Sequence, residues 1–279
     1  NDNFKIWAAH NESFNNKKLI MLPHGPSYDN PLIDSENYFH NKVFWEKHKK
    51  SKKNFFLPID VLIKKHSRKN KKFLFLIPFF GPYFLNSYFD FPFINYPEVM
   101  KFIKVLKLKL NNKIYNNLKI SAGQSSGANN NHFGYTFLHK NFREKIVNDF
   151  DYFLDNSKLL VSTYPLTNFF QGLASGPTIL VCPEEYTTFK EYKKFFSILK
   201  KNKIYFNNHN DAIKHIDEIW HNVDDWWNSK KIQKVINYFY KNILGSKKDS
   251  LKAWHYFCKD LELKSNKTKI NRINNYFIN

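Results

Sequence analysis

The sequence predicts an α/β protein organised around a parallel sheet with crossover helices, and three observations carry that prediction. From Lys71 onward, short apolar runs of strand type alternate with longer segments of helical periodicity, the order expected of successive βαβ units. Glycine and proline punctuate the joins, most clearly at Gly176-Pro177, where a helix should end and a strand begin. The third is size: 279 residues with 42% hydrophobic content, including 29 Phe, 16 Tyr and 6 Trp, can bury a sizeable core despite a mean hydropathy of -0.57.

The first seventy residues hold one clear strand, "KKLIML", a mixed segment, "NYFHNKVFWEKH", and a strand-like "NFFLPIDVLI", with the run "KHKKSKK" as a loop. They read as the remnant of an earlier domain over 1–70, followed by the main domain over 71–279. That domain opens with strand "KKFLFLIP", helix "YPEVMKFIKVLKLKL", strand "NNLKIS", helix "NFREKIVNDFDYFL" and strand "SKLLVST". In "PLTNFFQGLASG", Leu166, Phe169, Phe170 and Leu173 fall on one helical face, and "PTILVC" follows as a buried strand. The remainder is mainly helical: "TFKEYKKFFSILKK", a short strand "IYF", then "DAIKHIDEIWHNVDDWW", "KKIQKVINYFYKNIL" and "DSLKAWHYFCKDLEL". The Asn-rich "SAGQSSGANNNHFGY" reads as a flexible loop whose Gly and Ser could close over a ligand.

Composition narrows the partners. Lys and Arg number 44 against 24 Asp and Glu, and the resulting +20 attracts polyanions: nucleic acid, anionic lipid or phosphorylated substrates. No nucleic-acid-binding motif accompanies the charge, so nucleic acid is disfavoured as a partner. Cys182 and Cys258 form no Cys-x-x-Cys and no paired framework; they read as two buried thiols in a reducing cytoplasm. The most apolar window, Phe73 to Leu85, is broken by Pro78 and Gly81-Pro82 and falls short of the roughly 20 residues that span a bilayer. The first residues, which lack Met and already read as structured, lead to the expectation of a fragment without a signal peptide.

Two loops could carry chemistry. The strand "KKLIML" runs into Pro23-His24-Gly25, and a loop at the carboxyl end of a strand in an open α/β sheet is where ligands bind. A neutral His24 imidazole there could take a proton from an acceptor hydroxyl; the alternative is a histidine that only closes a turn. In the second loop a strand ends at Ser162-Thr163, Pro165 marks a first helical turn, and Thr167 follows. Hydroxyls and free N–H groups at such a helix start suit a phosphate, and the same hydroxyls could simply cap the helix. Glu184-Glu185, just past "PTILVC", are further candidate ligand carboxylates, whereas Asp149 and Asp151 of "DFD" sit at i and i+2 of a helix and read as its solvated surface. P-loop, zincin, serine-hydrolase and zinc-finger spacings do not occur, and no metal site is assigned.

The order "FKIWAAH…KKLIMLPHGPSYD", "KKFLFLIP", "SKLLVSTYPLTNFFQGLASGPTILV" and "DAIKHIDEIWHNVDDWW" resembles the surface-polysaccharide and O-antigen transferases typified by the Leptospira LIC-type family. A more distant similarity extends to CDP-glycerol polyol-phosphate transferases, which also use a His-Gly loop. Against the family's Gln-His-Gly-Gly-x-Tyr-Gly, His24, Gly25 and Tyr28 match, while Pro23, Pro26 and Asp29 replace Gln, Gly and Gly. In the second motif Thr167 and Gly172-Leu173-Ala174 keep register, and Gln171 stands where the family has Glu. The Trp226-Trp227 pair matches a late Trp-rich helix and reads as packing.

The resemblance implies a GT-B-like Rossmann domain that binds the donor, with a remnant of an N-terminal, acceptor-side domain and C-terminal helices. It implies transfer of a sugar or related group from a nucleotide-activated donor to a surface glycan or lipid-linked acceptor. His24 would be the catalytic base, and Gly25, Ser162, Thr163, Thr167, Gln171 and Glu184 would bind the donor. No cofactor or metal is expected, because helix N-termini would neutralise the diphosphate. The place of action would be the cytoplasm, peripheral at the inner face of an anionic membrane. Polyol-phosphate transfer, nucleic-acid binding and a non-catalytic homologue are the alternatives.

Overall fold

The computed structural model describes residues 20–21, 41–44, 54–56, 68, 71–79, 95–121, 133–165, 167–184, 193–244 and 250–259. The chain divides into two compact units, Asn1–Ile63 with Tyr238–Asn279, and Lys64–Asn237. In the first, strands β1 (Ile20–Met21), β2 (Asn41–Phe44) and β3 (Asn54–Phe56) form a three-stranded parallel sheet in that order. The expected strands "KKLIML" and "NFFLPIDVLI" contain β1 and β3, and the mixed segment between them supplies β2.

The second unit is a six-stranded, wholly parallel sheet with helices on both faces. Its strands are β4 (Phe73–Ile77), β5 (Leu118–Ser121), β6 (Ile146–Val147), β7 (Ser157–Ser162), β8 (Thr178–Val181) and β9 (Tyr205–Phe206). Their spatial order, β6-β5-β4-β7-β8-β9, is that of the doubly wound Rossmann sheet. Between the strands run helices α1 (Asn95–Lys109), α2 (Asn112–Asn116), α3 (Phe133–Phe142), α4 (Phe150–Asp155), α5 (Thr167–Ser175) and α6 (Lys193–Lys201). After β9 come α7 (His209–Ile219), α8 (Val223–Asn228) and α9 (Lys230–Asn242). Residues 250–259, which belong to the first unit, form a further helix.

Side chains alternate across the pleat, which is why central strands that read as unbroken apolar runs feed two cores. Leu74 and Leu76 join Leu118, Ile120, Leu159 and Val161 against α1, α3 and α7, where Phe102, Ile103, Leu106, Ile213 and Ile216 are almost fully buried. Phe75, Ile77 and Leu160 point the other way, onto Leu154, Phe150 and Phe153 of α4. Helix α5 covers the same side so closely that a Cβ on Gly172 would lie 2.2 Å from Leu160 Cδ2 and 2.9 Å from Thr178 Oγ1. Only glycine fits there.

The structure corrects three expectations. The single helix expected over 141–154 is broken: Phe142 leaves helical geometry, and the β-branched Ile146 and Val147 pair with Ile120 and Ser121 as edge strand β6. Asp149 then caps α4, accepting from Tyr152 N at 2.9 Å, and both it and Asp151 are solvent-exposed, as expected. The helix expected over 211–227 is also interrupted, by a 3-10 turn at Trp220–Asn222 and by Asn222 at φ −125°. Cys182 is buried as expected, but Cys258 is exposed, because its helix turns Ser250 and Phe257 inward.

One buried cation went unread. Arg68 donates to the carbonyls of Pro177 and Gly172 (3.1 Å for the latter) and to Thr178 Oγ1 at 3.2 Å, clasping the turn between α5 and β8. Burial pushes its pKa down to about 9, opposed by the charge of Asp155. Gly176, at φ +151°, leaves room for the guanidinium, which a Cβ would approach to 3.1 Å. Arginine is one of only three in this lysine-rich chain, and a planar fork is what several convergent acceptors require.

Candidate functional site

In a sheet of this order the chain runs outward in opposite directions from β4 and β7, and the crevice beyond their carboxyl ends is the place where such folds bind ligands. Two strand ends meet there. Ile77 lies in register with Ser162, and Thr163 N donates to Ile77 O at 3.2 Å. Phe79 N donates in turn to Thr163 Oγ1 at 2.8 Å, and the Phe79 and Tyr164 rings stack at 4.7 Å. Ser162 Oγ donates to Tyr164 O at 2.8 Å. Both hydroxyls are almost completely buried, 2% and 1% exposed, and their bonds hold the loop that carries the chain from β7 into α5.

Helix α5 therefore starts at the switch point. Its first N–H groups have no partner within the helix, the first turn carries no acidic residue, and the positive end of its dipole is directed at the crevice. Thr167 opens the helix and Gln171 follows one turn later, half-buried, its carbonyl accepting from Ser175 Oγ at 2.7 Å. Phe169, Phe170 and Leu173 are buried, as the helical face read from the sequence requires, which fixes the rotation of α5.

Ser162, Thr163, Thr167 and Gln171 thus belong to one strand-loop-helix unit. Glu184 does not join it: past β8 its exposed carboxylate accepts from Asn207 Nδ2 at 3.0 Å and lies 3.4 Å from Lys200 Nζ. His24 and Gly25 lie outside the described residues. Among those residues no helix is long and apolar enough to cross a membrane.

The family model described as LIC12162 family transferase matches residues 1–257 of this chain. No curated protein and no solved structure matches it.

Proposed function

This chain belongs to the LIC12162 family of transferases, and we propose that it is a GT-B-like glycosyltransferase. It would move a sugar or related group from a nucleotide-activated donor to a cell-surface polysaccharide or lipopolysaccharide acceptor. The observation that supports the donor reading is the start of α5 at the switch point of a Rossmann-ordered sheet, where free N–H groups can hold a diphosphate without a cation. Residues 71–279 would form the donor-binding domain and 1–70 the acceptor-side one.

In this mechanism His24 acts as general base on the acceptor hydroxyl, and Gly25 belongs to the donor-binding set. Thr167 and Gln171 bind the donor along α5, with Gln171 a neutral partner for a ribose or sugar hydroxyl. Ser162 and Thr163 serve the donor by holding the loop, since their hydroxyls are already bonded inside the protein. Glu184, past β8 and already bonded to Asn207 and Lys200, would exchange those partners for a sugar hydroxyl of the donor. The protein would act at the inner face of the cytoplasmic membrane, where a basic surface meets lipid-linked acceptors.

Calorimetric titration of the full chain with UDP, GDP, CDP and TDP in the presence of EDTA tests this reading. One nucleotide should saturate a single site. Gln171→Ala should weaken it about fivefold to tenfold with the melting temperature unchanged, the loss of one hydrogen bond of about 1–1.4 kcal/mol. Thr163→Val should lower stability by about 1–2 kcal/mol by orphaning Phe79 N–H, and leave the affinity of the folded protein within a factor of two. Failure of all four nucleotides to bind, with or without EDTA, overturns the donor assignment.

A further inference from the structure

A cavity of ≈ 330 Å³ lies beside β9, the last strand of the sheet among the described residues, between the end of α6 and α7. It lies two strands from β7, about 10 Å across the sheet, and its lining includes Asn207 and Asn208, just past the carboxyl end of β9. Its size is at the lower end of the range for small-molecule sites.

Three lysines line this cavity from three elements: Lys200 from α6, Lys203 from the turn before β9, and Lys214 from α7. Lys203 is held at φ +56°, the left-handed position that ends α6, its N–H donating to Lys200 O at 3.1 Å. Helices end this way on glycine or asparagine, and a lysine in that conformation costs roughly 1 kcal/mol. The side chain is kept against a local cost. Its ion pair with Glu218, 3.6 Å between groups 61% and 45% exposed, and that of Lys200 with Glu184 are long and solvated, so both exchange readily for a better anion. Lys214 makes no ion pair with a described residue.

One wall of the cavity is His215, 4% exposed between the rings of Phe206 and Trp226, each at 5.3 Å. Neither ring nitrogen has a hydrogen-bond partner, and Glu218 Oε2 stands 3.8 Å from Nδ1, too far to be one. Two unsatisfied buried nitrogens on one residue are rare, because each forfeits its hydration without replacement. Burial, then the charge of Lys203, pushes the imidazole down to about 4 against the opposing pull of Glu218, so at neutral pH it offers one donor and one acceptor. Asn207 and Asp211 also line the groove with amide and carboxylate groups of the type that bind hydroxyls, the Asn207 amide donating to the Glu184 carboxylate that Lys200 also faces.

We propose that this groove binds a small phosphorylated polyol, a sugar phosphate, with its phosphate among Lys200, Lys203 and Lys214 and its hydroxyls toward His215, Asn207 and Asp211. Titration of the full chain with glucose 6-phosphate, glucose and inorganic phosphate tests it. Glucose 6-phosphate should saturate one site at least tenfold more tightly than either other probe. Lys203→Met combined with Lys214→Met should weaken it at least tenfold, and Lys231→Met combined with Lys234→Met, on exposed positions of α9, should leave it within twofold. In the unaltered protein the sugar phosphate should protect Lys203 and Lys214, but not Lys231, from acylation read by mass spectrometry. Absence of saturation, equal weakening by the α9 pair, or no protection of Lys203 and Lys214 overturns the proposal and leaves these lysines as guards of an open sheet edge.

Discussion

Arg68 and His215 are both buried bases, and they fail in opposite ways when altered. Arg68 satisfies two carbonyls and a hydroxyl at the α5–β8 turn, geometry that a single ammonium cannot reproduce. Arg68→Lys should therefore destabilise the protein by about 2–4 kcal/mol in urea unfolding, with far-UV dichroism unchanged; a loss under about 1 kcal/mol would show that the fork is dispensable. His215 is instead penalised in its charged form. Its folded pKa is pushed down to about 4 from an unfolded value near 6.5, so between those limits the unfolded chain takes up the proton first. Stability contributed by the neutral imidazole is thus complete above pH 6.5 and is lost as the pH falls toward 4, by on the order of 2 kcal/mol. Comparing unfolding at pH 7.5 and 4.5 in the wild type and in His215→Leu checks this: the variant should lose less stability on acidification.

At the scale of elements, α5 joins fold to site, because the contact that seats it on the sheet also sets where its N-terminus emerges. Helix propensity and packing make opposite predictions for Gly172→Ala. Propensity alone favours alanine by about 1 kcal/mol. The added methyl, however, would meet Leu160, fully buried and unable to yield, at 2.2 Å. The net effect should be a loss of about 2 kcal/mol, measured by denaturant unfolding, and a displaced α5 should also weaken nucleotide binding. A stabilised Gly172→Ala protein would mean that α5 rests farther from β7 than the structure has it.

For the whole molecule the governing quantity is charge. An excess of +20, almost entirely lysine, predicts attachment to anionic bilayers through many weak contacts of about 1 kcal/mol each rather than through an inserted segment. The full chain should co-sediment with vesicles containing phosphatidylserine at low salt, remain in the supernatant with neutral vesicles, and be released near 0.5 M salt, where screening shortens the reach of each lysine. Equal sedimentation with both vesicle types would remove the membrane from the functional reading.

Much of the architecture was legible because burial on both faces of a parallel strand leaves a continuous apolar run: "FLFLI", "LLVS" and "TILV" are strands β4, β7 and β8, with α1 and α5 where their periodicity put them. Edge strand β6 was hidden, since two residues between helices carry no periodicity of their own and pair only because β5 offers them hydrogen bonds. The loop after Ser162-Thr163 could be found by motif, but the sequence left open whether its hydroxyls face a ligand or the protein. Only the tertiary structure brings Phe79 N–H, 84 residues away, onto Thr163 Oγ1. The same holds for Arg68 and Pro177, and for the three lysines and the buried histidine beside β9. Local sequence dictates which segments become strands and helices through period and propensity, whereas polar partners distant in sequence meet only once the sheet order is set, and it is their meeting that makes a site.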